Sequence, residues 1–206
     1  MLRIWGRLNS VNVQKVVWCA AELRLAFERV DAGGSFGRLD DASYRAKNPN
    51  QRIPTLEDGS VIVWESHAIL RYLGATYGAG RLWPTSAVDR APVDMWLDWY
   101  HCEGYVLMRD VFWNLVRTPP AERDTALIER NRAALDAKLA MVDDALRLRP
   151  FIAGDGFTIA DIAMGLLADR WFRLDIRRSE RPNLRRWYDG LAARPAFKEY
   201  CAAPLT

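Results

Sequence analysis

Every strand-like segment of this chain lies within its first 64 residues, and beyond residue 90 only helical patterns with their breaks remain. Leu2–Trp5 is a short apolar run followed by a loop at Gly6–Asn9. From Val11 to Arg24, the apolar residues Val13, Val16, Val17, Ala20 and Leu23 recur at helical spacing, with Ser10 ahead of them as a candidate N-cap. Ala26–Val30 reads as a second strand, Ala32–Gly37 as a flexible glycine-rich loop, and Ala42–Lys47 as one or two helical turns. Thr55–Glu57, the turn Asp58-Gly59 and Val61–Trp64 form a hairpin, after which Ser66 caps a helix through Ile69, Leu70, Leu73 and Tyr77. The order β-α-β-α-β-β-α, with Pro54 directly before the third strand, predicts a thioredoxin-like α/β sandwich over residues 1–78. Residues 79–90 read as a linker, and residues 91–206 as an all-α domain.

In the second half, helical patterns run from about Val88 to Val116, Ala121 to Leu148, Ile159 to Phe172 and Asn183 to Ala193. Pro119-Pro120, Gly154–Gly156, Pro182 and Pro195 punctuate them. Charge excludes a nucleic-acid footprint: residues 1–78 hold 10 basic and 8 acidic side chains, leaving 19 and 18 in the remainder. The opening residues are too interrupted for a signal peptide, and no stretch of about 18 apolar residues exists to span a bilayer. Cys19, Cys102 and Cys201 form no CxxC pair. With only His67 and His101 beside them they make no metal-ligand cluster, so a metal-free protein of a reducing cytoplasm is expected. Six of the nine Trp follow residue 80, which suggests aromatic walls as well as core.

Four local motifs stand in order: Ser10-Val11-Asn12-Val13-Gln14-Lys15-Val16, Asn48-Pro49-Asn50-Gln51-Arg52-Ile53-Pro54, Glu65-Ser66, and Phe157-Thr158-Ile159-Ala160-Asp161. With the element order, they resemble cytosolic glutathione transferases over nearly the whole chain. The pattern is similar to a bacterial serine-type group near the phi, theta and delta classes. The resemblance implies glutathione as co-substrate, with Ser10 as the catalytic residue. A thiol of pKa near 8.5 is mostly protonated at neutral pH, and a hydroxyl donor at a helix N-terminus favours the reactive thiolate. The competing reading makes Ser10 a plain helix cap. Cys19 lies about two and a half helical turns further on, too far to take that role.

The resemblance also implies the rest of the glutathione site. Asn12 holds the serine or the peptide, and Asn9 serves equally well on the sequence alone. Ile53 and a cis Pro54 present backbone groups to the cysteinyl part, like an added strand. Ser66 and the N-terminus of its helix receive the γ-glutamyl carboxylate, while Glu65 pairs with the α-ammonium. Arg52 stands where phi enzymes often carry Gln and keeps its donors for the peptide. Near the expected Lys for the glycyl carboxylate stands Asp40, which would repel it, so Arg38 is the substitute. Thr158 and Asp161 read as a capping box with Phe157 and Ile162 as its staple, a folding element.

For the second substrate, one helical stripe runs Val93, Leu97, Tyr100, Gly104, Leu107, Val111. Another runs Met95, Trp99, Cys102, Val106, Arg109, Trp113, Arg117. A helix apolar on two faces is covered on both. Met95, Trp99, Val106 and Trp113 make an adaptable wall for an apolar electrophile, and Arg109 an anchor for a polar group. The alternative places these residues in core or dimer contacts. A homodimer is expected from the resemblance, with Arg71, Trp96 and Trp99 near its seam. The expected activity is attack of glutathione thiolate on an apolar electrophile, with no metal, nucleic acid or membrane involved. The alternative function is a non-catalytic ligand-binding or protein-interaction module of the same fold, kept open by Asp40.

Overall fold

The computed structural model describes residues 1–206, which divide into two compact units. The first comprises Met1–Thr85 and Pro195–Ala203, the second Ser86–Arg194 and Pro204–Thr206.

The first unit is a four-stranded sheet in the order β2-β1-β3-β4. Strand β1 (Leu2–Trp5) pairs in parallel with β2 (Phe27–Val30), from Leu2 opposite Phe27 to Trp5 opposite Val30. A parallel pair needs a crossover, and helix α1 (Val11–Glu22) supplies it. Strand β3 (Thr55–Asp58) runs antiparallel to β1 and turns through Gly59 into β4 (Val61–Trp64). Gly59 sits at φ 59°, which a tight hairpin requires of one of its turn residues. Between β2 and β3 lies the single turn α2 (Ala42–Arg45), and α3 (Ser66–Tyr77) follows β4. Ile4 and Leu56, opposite one another in the sheet, are fully buried with Val13, Val16 and Val17 of α1 and Ile69, Leu70 and Leu73 of α3.

One element of this unit comes from the far end of the chain. Helix α9 (Pro195–Tyr200) packs on α1, with Phe197 edge-on to Trp18 at 5.0 Å and Tyr200 tilted against Phe27 at 5.8 Å. The sequence marks Pro195 only as a break. Six residues are too few for a periodic pattern, so the helix shows itself through Phe197 alone.

The second unit is helical throughout. Helices α4 (Ala87–Trp99) and α5 (Tyr105–Phe112) are joined through a π-helical turn at Tyr100–Gly104, and a second π turn at Trp113–Arg117 ends α5. Helix therefore starts at Ala87, inside the expected linker, because the Ser86 side chain accepts from the Asp89 N–H at 3.1 Å and caps it there. Helices α6 (Thr125–Ala145), α7 (Ile159–Arg173) and α8 (Pro182–Ala192) complete the unit. Helix α7 is buried on every side from Ile159 to Trp171, as a central helix must be when its apolar residues encircle it.

The start of α7 is fixed by the expected capping box. The Thr158 side chain accepts from Ala160 N–H, and Asp161 accepts from Thr158 N–H at 2.9 Å. Asp161 also accepts from Ile152 N–H at 2.8 Å and from Trp187 Nε1–H of α8 at 2.9 Å. This one carboxylate ties a loop and two helices together.

Candidate active site

Ser10 occupies the N-cap position of α1, with extended backbone at φ −86° and ψ 122°. Its carbonyl accepts from Gln14 N–H at 2.9 Å, but its hydroxyl makes no capping bond. The half-buried hydroxyl is thus not spent on the helix. No acidic residue lies in the first turn of α1, so no fixed carboxylate opposes the positive end of the helix dipole there. The approach is close-packed: a Cβ added to Gly6, at φ 144°, would come within 2.4 Å of Val13 Cγ2 and 3.1 Å of Ile53 Cβ. Only glycine lets the β1–α1 loop lie against Ile53 in this way.

Asn12 and Ser66 meet around Lys15, a motif residue to which the resemblance assigns no role. Lys15, 1% exposed, places Nζ 3.1 Å from Asn12 Oδ1, 3.4 Å from Ser66 Oγ and 3.0 Å from His67 Nε2. The Ser66 hydroxyl lies 3.4 Å from Asn12 Oδ1. One buried ammonium therefore joins the first turns of α1 and α3. Lys15 and His67 are 52 positions apart, and no local pattern reveals the pair.

Ser66 is not the cap of α3, contrary to the sequence reading. The N-cap is Glu65, at φ 68° and ψ 121°, and Ser66 is the first helical residue, its hydroxyl directed at Lys15 and Asn12. Glu65 is exposed. Arg38 also takes a positive φ, 69°. Non-glycine residues held there cost on the order of 1–3 kcal/mol each, and such strain clusters where geometry serves a ligand. Arg38 and Asp40 are both exposed in the segment before α2.

The Asn48–Pro54 motif has a physical explanation in the fold. Asn48, buried, donates from Nδ2 to the Arg52 carbonyl at 2.9 Å and to Thr55 Oγ1 at 3.1 Å. Tyr44 of α2 donates its hydroxyl to the same Arg52 carbonyl at 2.7 Å. These two side chains brace the backbone entering β3, where the Ile53–Pro54 bond is cis and the Arg52 side chain points to solvent. Tyr44 carried no motif signal, and only the fold brings it under Arg52.

In the second unit the two stripes separate as the helix twist demands. Val93, Leu97, Tyr100, Gly104 and Val111 are buried. Met95, Val106 and Trp113 are exposed, at 69%, 42% and 51%, while Trp99 is half-buried edge-on to Trp96 at 5.7 Å. Arg109 is engaged by its neighbour: Nε and Nη2 both lie 2.8 Å from Asp110 Oδ1.

The family described as glutathione S-transferase, N-terminal domain, matches residues 1–75, and its C-terminal counterpart matches residues 106–195. The chain belongs to the glutathione S-transferase family. It is an enzyme of the transferase class whose co-substrate is glutathione. It is 40% identical to glutathione S-transferase GstB of Escherichia coli K12 over 208 residues, covering 100% of both chains. It is 32% identical to glutathione S-transferase 3 of Zea mays, over 98% of this chain and 94% of that one. Among solved structures, the theta class glutathione S-transferase of the citrus canker pathogen Xanthomonas axonopodis pv. citri, with glutathione bound, superposes with a TM-score of 0.95. That match has 43% identity and covers 100% of this chain and 99% of the other.

Within this glutathione transferase the Lys15 cluster has a measurable consequence. Replacing Lys15 with Met removes the donor to Asn12 and Ser66 but leaves those two able to pair with each other. Losing one charge-assisted hydrogen bond that positions two side chains is worth roughly a factor of ten in an equilibrium constant. On the glutathione site proposed below, which includes Asn12 and Ser66, the KM for glutathione should rise about tenfold in Lys15→Met with kcat changed less than about threefold. A fall in kcat with an unchanged KM would show that Lys15 does not act through Asn12 and Ser66.

Proposed function

We propose that Ser10 donates its hydroxyl to the glutathione sulfur and that the resulting thiolate attacks an electrophilic carbon of an apolar substrate. The carbon–sulfur bond forms as the bond to the leaving group breaks, and the thiol proton passes to solvent. The observation that carries this reading is the Ser10 hydroxyl, which stands at the N-terminus of α1 without capping it. A donor and a helix dipole both favour an anion at that point.

In the same reading Asn12 and Ser66 bind the γ-glutamyl end and Glu65 takes its ammonium. The Ile53 backbone beside Pro54 pairs with the cysteinyl peptide, Arg52 supports it, and Arg38 serves the glycyl carboxylate. Met95, Trp99, Val106 and Trp113, with Arg109, form the electrophile wall. Exposed apolar side chains on one helix face are a surface meant to be covered by a ligand or a partner.

The decisive experiment is conjugation of glutathione to 1-chloro-2,4-dinitrobenzene, followed by the absorbance of the product. Turnover supports the reading, whereas glutathione binding without turnover of any aryl or alkyl halide tried supports the binding-module alternative. We further propose a cytosolic homodimer. Gel filtration should give twice the chain mass, and elution as a monomer would contradict it.

A further inference from the structure

The segment joining α7 to α8 bounds a cavity of about 310 Å³ within the second unit. Phe172, from the last turn of α7, forms one wall. Arg178, Glu180 and Arg181 come from the segment itself, and Arg185 from the first turn of α8. None of these residues belongs to the glutathione or electrophile contacts proposed above.

The segment is pinned from behind by α6. Ser179 donates to Asp136 from its N–H at 3.2 Å and from its hydroxyl at 2.7 Å. Arg132 Nη1 donates to the Arg177 carbonyl at 3.1 Å, and Arg181 Nη2 to the Asp136 carbonyl at 3.0 Å. The nearby acids are already shared out. Asp136 also stands 3.7 Å from Arg132 and 3.8 Å from Arg181, and Glu129 serves both Arg132 and Arg177. Asp189 takes Nε and Nη2 of Arg185 at 3.0 and 2.9 Å, so Arg185 is neutralised and acts as wall.

Arg178 has no such acid. This half-buried guanidinium donates from Nη2 to the Leu174 carbonyl and makes no ion pair. Its Nε–H is buried without a partner, and so is the Nε–H of Arg181, whose Nη1 reaches only the Glu180 carbonyl at 3.4 Å. A guanidinium carries five donors and keeps its charge at any ordinary pH. Folded chains seldom leave even one such buried donor unpaired, and here two stand at one cavity. Glu180 is the single acid of the wall; it is exposed, and its charge works against an anion there. On the other side Phe172 offers an apolar surface, backed by Tyr188 at 5.1 Å and by Arg185 at 5.0 Å.

We propose that this cavity binds a small organic phosphate, with Arg178 and Arg181 on the phosphate and Phe172 against the organic body. Two guanidiniums from different points of one segment suit a tetrahedral anion, whose three free oxygens can be shared between them. A planar carboxylate is filled by one fork. Turning either guanidinium toward the phosphate sets its Nε–H and one Nη–H side by side on two oxygens, which gives the orphaned donors their acceptor. Because α6 already holds the segment, little ordering is lost on binding.

The test is calorimetric titration of the full chain with phenyl phosphate, at low salt and in a buffer without phosphate. One saturable site is expected. Inorganic phosphate, which has no ring to lie against Phe172, should bind about tenfold more weakly. Arg178→Gln should weaken phenyl phosphate about tenfold. Glu180→Gln should strengthen it about twofold, an effect of opposite sign that a misfolded variant would not produce. Saturating glutathione should leave the affinity unchanged. Absence of saturable binding, or affinities that both variants leave as in the wild type, would overturn the proposal. Displacement of phenyl phosphate by glutathione would overturn it too, by assigning the phosphate to the glutathione site. None of these outcomes touches the reading of Ser10, which conjugation tests separately.

Discussion

Ser10→Ala should lower kcat for conjugation of 1-chloro-2,4-dinitrobenzene by about tenfold to thirtyfold at neutral pH. A thiol left near 8.5 is about 3% ionised at pH 7, so loss of the donor can remove at most about thirtyfold of the thiolate. The KM for glutathione should move less than about threefold, because the proposed peptide contacts lie on Asn12, Ile53, Glu65 and Ser66. The physical basis is the protonation state of the sulfur. Free thiol titrates near 8.5, and each unit of lowering multiplies the thiolate present at neutral pH about tenfold. The Ser10 hydroxyl is free of the helix, and the first turn of α1 holds no acid, so both local fields favour the anion. The deficit of the variant should shrink as pH rises toward 9, where the thiol ionises unaided. A deficit that is constant across pH would mean that Ser10 acts on something other than the thiol.

The largest effect on stability should follow Asp161→Ala. That substitution strands the Ile152 N–H, the Thr158 N–H and the Trp187 indole N–H at once, all in the interior. Each orphaned donor costs about 1–3 kcal/mol, so a loss of about 4 kcal/mol is expected. For a chain of this size that lowers Tm by about 10 °C or more, which thermal unfolding by circular dichroism measures. The carboxyl has its own pH signature. Burial pushes it up to about 6, against the donors of Ile152, Thr158 and Trp187 that pull it down. A carboxyl raised on folding contributes stability that is full below its unfolded value near 3.9 and is lost as pH rises through about 6. The Tm difference between wild type and Asp161→Asn should therefore move against the wild type between pH 4 and pH 7. A difference that does not change with pH would mean that this carboxyl titrates as it does in the unfolded chain.

The sequence made the sheet and its two main helices legible because their signals are local. Alternation bounded by Asp58-Gly59 writes a hairpin, and Val13, Val16, Val17 and Ala20 write one buried helix face. The capping box at Thr158 and Asp161 was readable for the same reason, since its partners are three residues apart. What escaped was either short or distant. Helix α9 has six residues and a single anchor in Phe197. The first π turn interrupts a long helix and the second ends it, each widening a single turn, which barely disturbs a stripe read at spacings of three and four. Glu65 as the cap of α3 was missed because its positive φ follows from where β4 must turn, not from its residue type. At the candidate site the motif residues were visible, but their shared contact was not. Lys15, which joins Asn12, Ser66 and His67, and Tyr44, which braces Arg52, meet their partners only after the chain has folded.

The central claim is that Ser10 holds glutathione as a thiolate. Ultraviolet absorbance of the thiolate, titrated with pH for glutathione bound to the wild-type protein and to Ser10→Ala, measures it directly. A thiol pKa at least about one unit below that of free glutathione in the wild type, restored in the variant, is the predicted result. A bound thiol that titrates like free glutathione in the wild type, or equally lowered in both proteins, would contradict it.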